Sequence, residues 1–288
     1  MAHRSIAKVA DMSSQLTATT PLASLLAARR AEAHRVTFRV TEDWQQGRTL
    51  FGGLLSALSV QAMRDVCGAD WPLRALQTNF VGPVSLAPFQ VEVSLLRQGK
   101  NVRQVKATVL QADAQGQEQV CGILLGVFGT GRSSEIATRR PTQPPVAVAA
   151  ETATSLPYLP GLTPNFTQHL DFRLAEGAFP FTGGGDWLTR YHLRMKDSAG
   201  VDNELIAIIL ADAGPTPALS QAKNFAPASS VSWALELRPV TKVDPEGLWR
   251  LDQDTIAYDE GYANDRAHLW TPDGQLAAFG YQVVAVYA

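Results

Sequence analysis

The chain carries the same arrangement twice, about 160 residues apart, and this repeat limits its fold more than any other feature. Each copy holds one strongly apolar helical stretch. A run of alternating apolar and polar residues, broken by turn residues, follows it. In the first copy the helix candidate is GGLLSALSVQAMRDV (52–66) and the strand run covers 73–129. In the second the helix candidate is DNELIAIILADAG (202–214) and the run covers 230–287. A period of two marks half-buried strands. The turns correspond: Gly99-Lys100-Asn101 matches Gly261-Tyr262-Ala263, and Ala112-Asp113-Ala114-Gln115-Gly116 matches Thr271-Pro272-Asp273-Gly274. Two units of this length are a duplicated domain, not a solenoid of short repeats.

Both helix candidates are apolar on most faces, and such a helix must be covered on all sides. A curled antiparallel sheet around each helix does this. The expected class is therefore α+β, with two tandem helix-in-sheet repeats sharing one continuous sheet. Residues 131–168 contain six prolines and no hydrophobic period, which marks a linker. The reading is an N-terminal repeat at 1–130, a linker at 131–168 and a C-terminal repeat at 169–288.

Composition narrows the function. The chain is 45% hydrophobic and 18% charged with a formal charge of −2, which excludes general disorder and gives no basic surface for nucleic acid. Cys67 and Cys121 are too few for a disulfide framework or a zinc site. The five histidines (3, 34, 169, 192 and 268) are scattered, so no metal site is expected. Residues 1–15 lack a signal-peptide core, and no apolar run approaches the roughly 18 residues of a membrane span. A soluble, cytoplasmic protein is expected.

Asp212 is the residue that needs explaining. It ends the second helix candidate, after seven apolar residues and before Gly214 and Pro215. Negative charge at a helix C-terminus is disfavoured by the helix dipole. An unpaired buried carboxylate costs several kcal/mol. Two readings follow: a general base held in apolar surroundings, or a carboxylate that turns to solvent where the helix stops. Superposing the two helix candidates sets Asp212 against Gln61, which cannot act as a base, so the halves are not equivalent.

The order of further motifs gives a family resemblance. Thr20-Pro21-Leu22-Ala23-Ser24-Leu25-Leu26 is similar to the family's short opening helix. Phe51-Gly52-Gly53 starts the first long helix, and Asn79-Phe80-Val81-Gly82-Pro83 ends a strand. Asp212, Ser229 or Ser230, and Gln282 in the last strand follow in that order. Together these residues resemble the acyl-CoA thioesterase II family, whose fold is a double hotdog. The resemblance implies hydrolysis of acyl-CoA to free acid and CoA, within fatty acid metabolism. Asp212 would take a proton from water that Ser229 or Ser230 and Gln282 hold in place. Unpaired N–H groups at Gly52 and Gly53, on a helix N-terminus, would serve the oxyanion. No cofactor is implied, CoA being part of the substrate, and a homo-oligomer is left open. No Gly-x-Ser-x-Gly elbow points to a serine nucleophile.

Two other functions stay open on these residues. One is a non-catalytic acyl-thioester binding protein. The other is an acyl-thioester hydratase or dehydratase, which wants a histidine beside the aspartate; none lies near Asp212 in sequence. Arg97, Lys100, Arg103 and Lys106 around the Gly99 turn read as a solvated hairpin before they read as a CoA phosphate site. Phe51, Trp187, Tyr191 and Trp233 read as core.

Overall fold

The computed structural model describes residues 19–68, 70–240 and 242–288. The reading of residues 1–15 and His3 lies outside them. Helix α1 spans Leu22–Ala27. Strands β1 (Arg30–Glu32) and β2 (Arg35–Phe38) follow, then the short pair β3 (Gln45–Gln46) and β4 (Thr49–Leu50), and then helix α2, Gly52–Cys67. Strands β5 (Leu73–Phe80), β6 (Phe89–Gln98), β7 (Val102–Ala112) and β8 (Glu118–Gly129) close the first half. The second half holds β9 (Leu170–Gly177), β10 (Leu188–Met195), helix α3 (Asn203–Ala211), β11 (Ala228–Leu237), β12 (Trp249–Asp259), β13 (Tyr262–Trp270) and β14 (Leu276–Val286).

Twelve strands form one antiparallel sheet in the order β1-β2-β6-β7-β8-β5-β11-β14-β13-β12-β10-β9. Read outward from the β5–β11 seam, each side gives corresponding elements in the same order. The duplication is thus a pseudo-twofold arrangement, and the seam pairs the two halves through Trp233 opposite Thr78 and Leu235 opposite Leu76. Both long helices lie on one face of this sheet, and a single apolar cluster takes residues from both. This is the hotdog architecture doubled.

The helix ends follow local chemistry. Asp202 caps α3 by accepting from the Glu204 N–H at 3.2 Å. Leu205 to Ala211 are all buried, and fully burying a leucine or isoleucine side chain contributes roughly 1.5–3 kcal/mol. Helix α2 stops at Gly68, whose φ of 57° suits glycine at a left-handed cap. Arg103 donates to the Gly68 carbonyl at 2.8 Å and lies 4.4 Å over the Trp71 ring. One of the four basic residues around the Gly99 turn is therefore a helix cap rather than a solvated side chain.

The two helices run antiparallel. Near the end of α2, Arg64 pairs with Glu204 at the start of α3, and the Leu73 N–H donates to Glu204 at 2.8 Å. The opposite ends meet at Gly52, Gly53 and Asp212. Residues 131–164 carry no helix or strand. Part of this segment runs beside β9, with the Leu156 N–H donating to Phe172 O at 2.7 Å and Val148 to Ala175 O at 3.2 Å. It covers the sheet's last edge, which would otherwise present unpaired backbone groups. Just beyond it, Phe166 stacks on Phe51 of the first half with centroids 3.8 Å apart. Among the described residues no helix is long and apolar enough to cross a membrane.

Candidate active site

Helix α3 ends at Asp212, whose backbone (φ −104°, ψ 2°) has left the helical region. The side chain does not turn outward to bulk solvent. It lies against the first turn of α2, where a Cβ on Gly52 would stand 2.9 Å from Asp212 Oδ2 and 3.1 Å from the Phe80 ring. A Cβ on Gly53 would stand 3.1 Å from Asp212 Cβ. Glycine is required at Gly52 because the helix backbone and the aspartate approach so closely, and at Gly53 because the Phe51 ring, 2.6 Å from such a Cβ, crowds it together with Asp212.

This contact offsets the cost noted for a carboxylate at a helix C-terminus. The C-terminal end of α3 meets the N-terminal end of α2, whose free N–H groups favour negative charge. The Gly53 N–H faces the carboxylate and favours its ionised form. Desolvation outweighs this and the hydrogen bond from Gln282, and the Asp212 pKa is pushed up to about 7. The residue as a whole is half-buried, so solvent reaches part of it. A base with a pKa near neutrality can both hold and release a proton under ordinary conditions.

Gln282 in β14 connects the group. Its Nε2 donates to Asp212 Oδ1 at 2.9 Å and to Ser230 Oγ at 2.7 Å. Sheet register explains which serine takes part. Gln282 lies opposite Trp233 on the core-facing side, and Ser230 lies opposite Val284, two residues further along β14 on the same side. Ser229 lies opposite Ala285, is exposed, and belongs to the other face. A β-bulge between Ser230 and Ser232 adds Val231 to the strand. Without that extra residue Ser230 and Trp233, three apart, could not share a face. The structure brings Asp212, Ser230 and Gln282 together, with Gly52 and Gly53 against them, and leaves Ser229 out.

The Gly53 N–H, expected at an oxyanion, lies beside the Asp212 carboxylate. Gln61, the counterpart of Asp212 in the first helix, donates to Asp65 at 2.8 Å, and Asp65 pairs with Arg29. It belongs to a polar network on the flank of α2. His192 contacts the Val148 carbonyl at 2.9 Å on the outer face of the sheet, and His268 stacks near Trp270 and Phe279 on the same face. No histidine is brought to Asp212 among the described residues. No group of three or more His, Cys, Asp or Glu suited to a metal occurs among them either.

Chemically, the arrangement is a carboxylate acceptor, an amide that donates to it, and a hydroxyl with capacity left to donate and accept. Such a set can fix a small hydroxylic molecule and take a proton from it.

Two family models match the sequence. The acyl-CoA thioesterase N-terminal domain matches residues 40–129 and the acyl-CoA thioesterase C-terminal domain matches residues 144–286. Comparison with curated proteins returns no match. Several solved structures share the fold. A conserved hotdog-fold protein of unknown function from Alicyclobacillus acidocaldarius superposes with a TM-score of 0.79 at 21% identity, over 94% of this chain and 99% of its own. An acyl-CoA thioesterase II from Mycobacterium marinum gives 0.70 at 14%, over 91% and 97%. The tesB protein of Mycobacterium avium subs paratuberculosis gives 0.71 at 14%, over 93% and 100%. At these identities the likeness speaks for the fold alone.

Proposed function

The chain belongs to the acyl-CoA thioesterase family, and from that premise we propose that it hydrolyses acyl-CoA by direct attack of a water molecule that Asp212 deprotonates. The single observation that carries this reading is the convergence of Asp212 Oδ1 and Ser230 Oγ on one amide nitrogen, Gln282 Nε2. Gln282 holds the carboxylate and hydroxyl at a fixed separation. A water between them donates one proton to Asp212 and is oriented by Ser230, leaving a lone pair for the thioester carbon. The new C–O bond forms as the proton passes to Asp212. The tetrahedral oxyanion then collapses and expels the CoA thiolate, which takes up a proton. Free acid and CoA leave.

The oxyanion needs donors within hydrogen-bond reach. Because the Gly53 N–H faces Asp212, the Gly52 N–H and its neighbours in the first turn of α2 are the groups proposed for it. They lack intrahelical partners by their position. The positive end of α2 thus favours both the ionised base and the developing alkoxide.

Thiol release from a panel of acyl-CoAs of different length, followed with a thiol reagent, tests the reading. Wild-type protein is expected to release thiol and Asp212→Asn to lose about 100-fold or more in kcat. An inert wild type would leave an acyl-thioester binding protein on the same fold. A fully active Asp212→Asn would remove the base.

A further inference from the structure

A second carboxylate lies on the same core-facing side, and the mechanism above does not use it. Asp265 in β13 is 2% exposed. It is the cross-strand partner of Gln282 on one side and of Thr255 on the other. The Thr255 hydroxyl donates to Asp265 Oδ1 at 2.7 Å. Oδ2 has no hydrogen-bond partner among the described residues.

The fold does not demand a carboxylate here. One row of core-facing residues crosses the seam: Thr255, Asp265, Gln282, Trp233, Thr78, Leu124, Ala107 and Val93. Asp265 and Ala107 stand the same number of residues before the turns that close their hairpins, as Gln282 and Leu124 stand after them. The duplicated half therefore fills the positions of Thr255, Asp265 and Gln282 with Val93, Ala107 and Leu124, all buried. Apolar side chains suffice for packing at these places. Burying a half-satisfied carboxyl instead costs stability.

Gln282 needs what Asp265 can supply. Both of its donated bonds leave from Nε2, and its Oε1 accepts none among the described residues. The opposite amide orientation would set Oε1 against the Asp212 carboxylate, acceptor to acceptor. Directly paired residues on one face of an antiparallel sheet have Cβ atoms about 5 Å apart. Side chains of such a pair are within reach of one another. We propose that Asp265 is a positioning residue: held by Thr255 as a neutral acid, it donates from Oδ2 to Gln282 Oε1 and so fixes the face that the amide turns to Asp212 and Ser230. Burial pushes the Asp265 carboxyl towards the protonated form, against the Thr255 hydroxyl that bonds Oδ1 and the Thr216 hydroxyl that lies near without a hydrogen bond to it, both of which favour the ionised one. This inference rests on the reading that Gln282 orients the water site.

A double-mutant cycle in the full chain tests it, using steady-state kinetics on an acyl-CoA that the wild type hydrolyses. Asp265→Val is expected to lower kcat about tenfold or more with KM little changed, as a displaced orienting group does. Asp265→Asn, whose amide can donate to Oε1, recovers most of that loss. Asp265→Val combined with Gln282→Ala is no slower than Gln282→Ala alone, because the two act through one contact. Should Asp265→Val not fold, Thr255→Val gives the same cycle: an effect in the wild-type background that disappears on Gln282→Ala supports the inference, and equal effects in both backgrounds overturn it. Wild-type kcat in Asp265→Val beside an impaired Gln282→Ala overturns this inference alone. Full activity in Gln282→Ala overturns it together with the reading beneath it.

Discussion

Asp212→Asn should make the protein more stable at neutral pH while it disables the base. The folded state raises the Asp212 pKa from 3.8 to about 7. Near pH 4 the folded carboxyl is protonated and the unfolded one about half so, and wild type and Asp212→Asn differ little in stability. As pH rises towards 7 the unfolded chain ionises freely and the folded one resists, so wild-type stability falls through this window. Above pH 7 the lost stability reaches about 2–4 kcal/mol, the lower figure allowing for the part of the residue that solvent reaches. Asparagine keeps an oxygen for the Gln282 amide and carries no charge, so it escapes this penalty. Denaturant unfolding of both proteins at pH 4 and pH 8 measures the difference. The two should unfold at similar denaturant concentrations at pH 4, and Asp212→Asn should resist unfolding better at pH 8. Equal midpoints at pH 8, or the same gain at both pH values, would refute the claim that desolvation holds this carboxylate near neutrality.

Three further outcomes follow from the same geometry. Gly52→Ala puts a methyl group 2.9 Å from Asp212 Oδ2 and 3.1 Å from Phe80; thermal unfolding should show a loss of about 1–3 kcal/mol, and acyl-CoA hydrolysis should fall with it. Ser230→Ala should lower kcat about tenfold or more, whereas Ser229→Ala, on the outer face of β11, should hydrolyse acyl-CoA like the wild type. A pH profile of kcat/KM should rise to a plateau with a midpoint near the Asp212 pKa of about 7. In Gln282→Ala, which removes a donor that favours the ionised carboxylate, that midpoint should move to higher pH.

Much of this was legible in the sequence because it depends on local pattern. The repeat, the two apolar helices and the turn residues are set by side-chain period and by glycine and proline. They lead to a shared antiparallel sheet with a helix against each half. The oddity of Asp212 was legible too, since a carboxylate after seven apolar residues is costly wherever it goes. What the sequence hid depends on contacts between distant segments. Ser229 and Ser230 differ only by face, and the face is set by one extra residue, Val231, whose bulge has no mark in the local pattern. Gly53 meets Asp212 because the helices pack antiparallel, so glycines that look like open donors stand against a carboxylate. Arg103 looks like a hairpin charge until the end of α2 is seen beneath it. Asp265 is hidden by its own strand, where alternation with neighbouring polar residues makes a buried acid look like a solvent-facing one.

In the proposed reaction water, not a side chain, attacks the thioester, with Asp212 taking its proton. A single turnover with excess enzyme in oxygen-18 water, followed by mass spectrometry of the product acid and of the peptide containing Asp212, tests it most directly. Direct attack by water leaves one labelled oxygen in the acid and none in Asp212; label in the Asp212 carboxylate would mean an acyl-enzyme anhydride had formed and would overturn the mechanism.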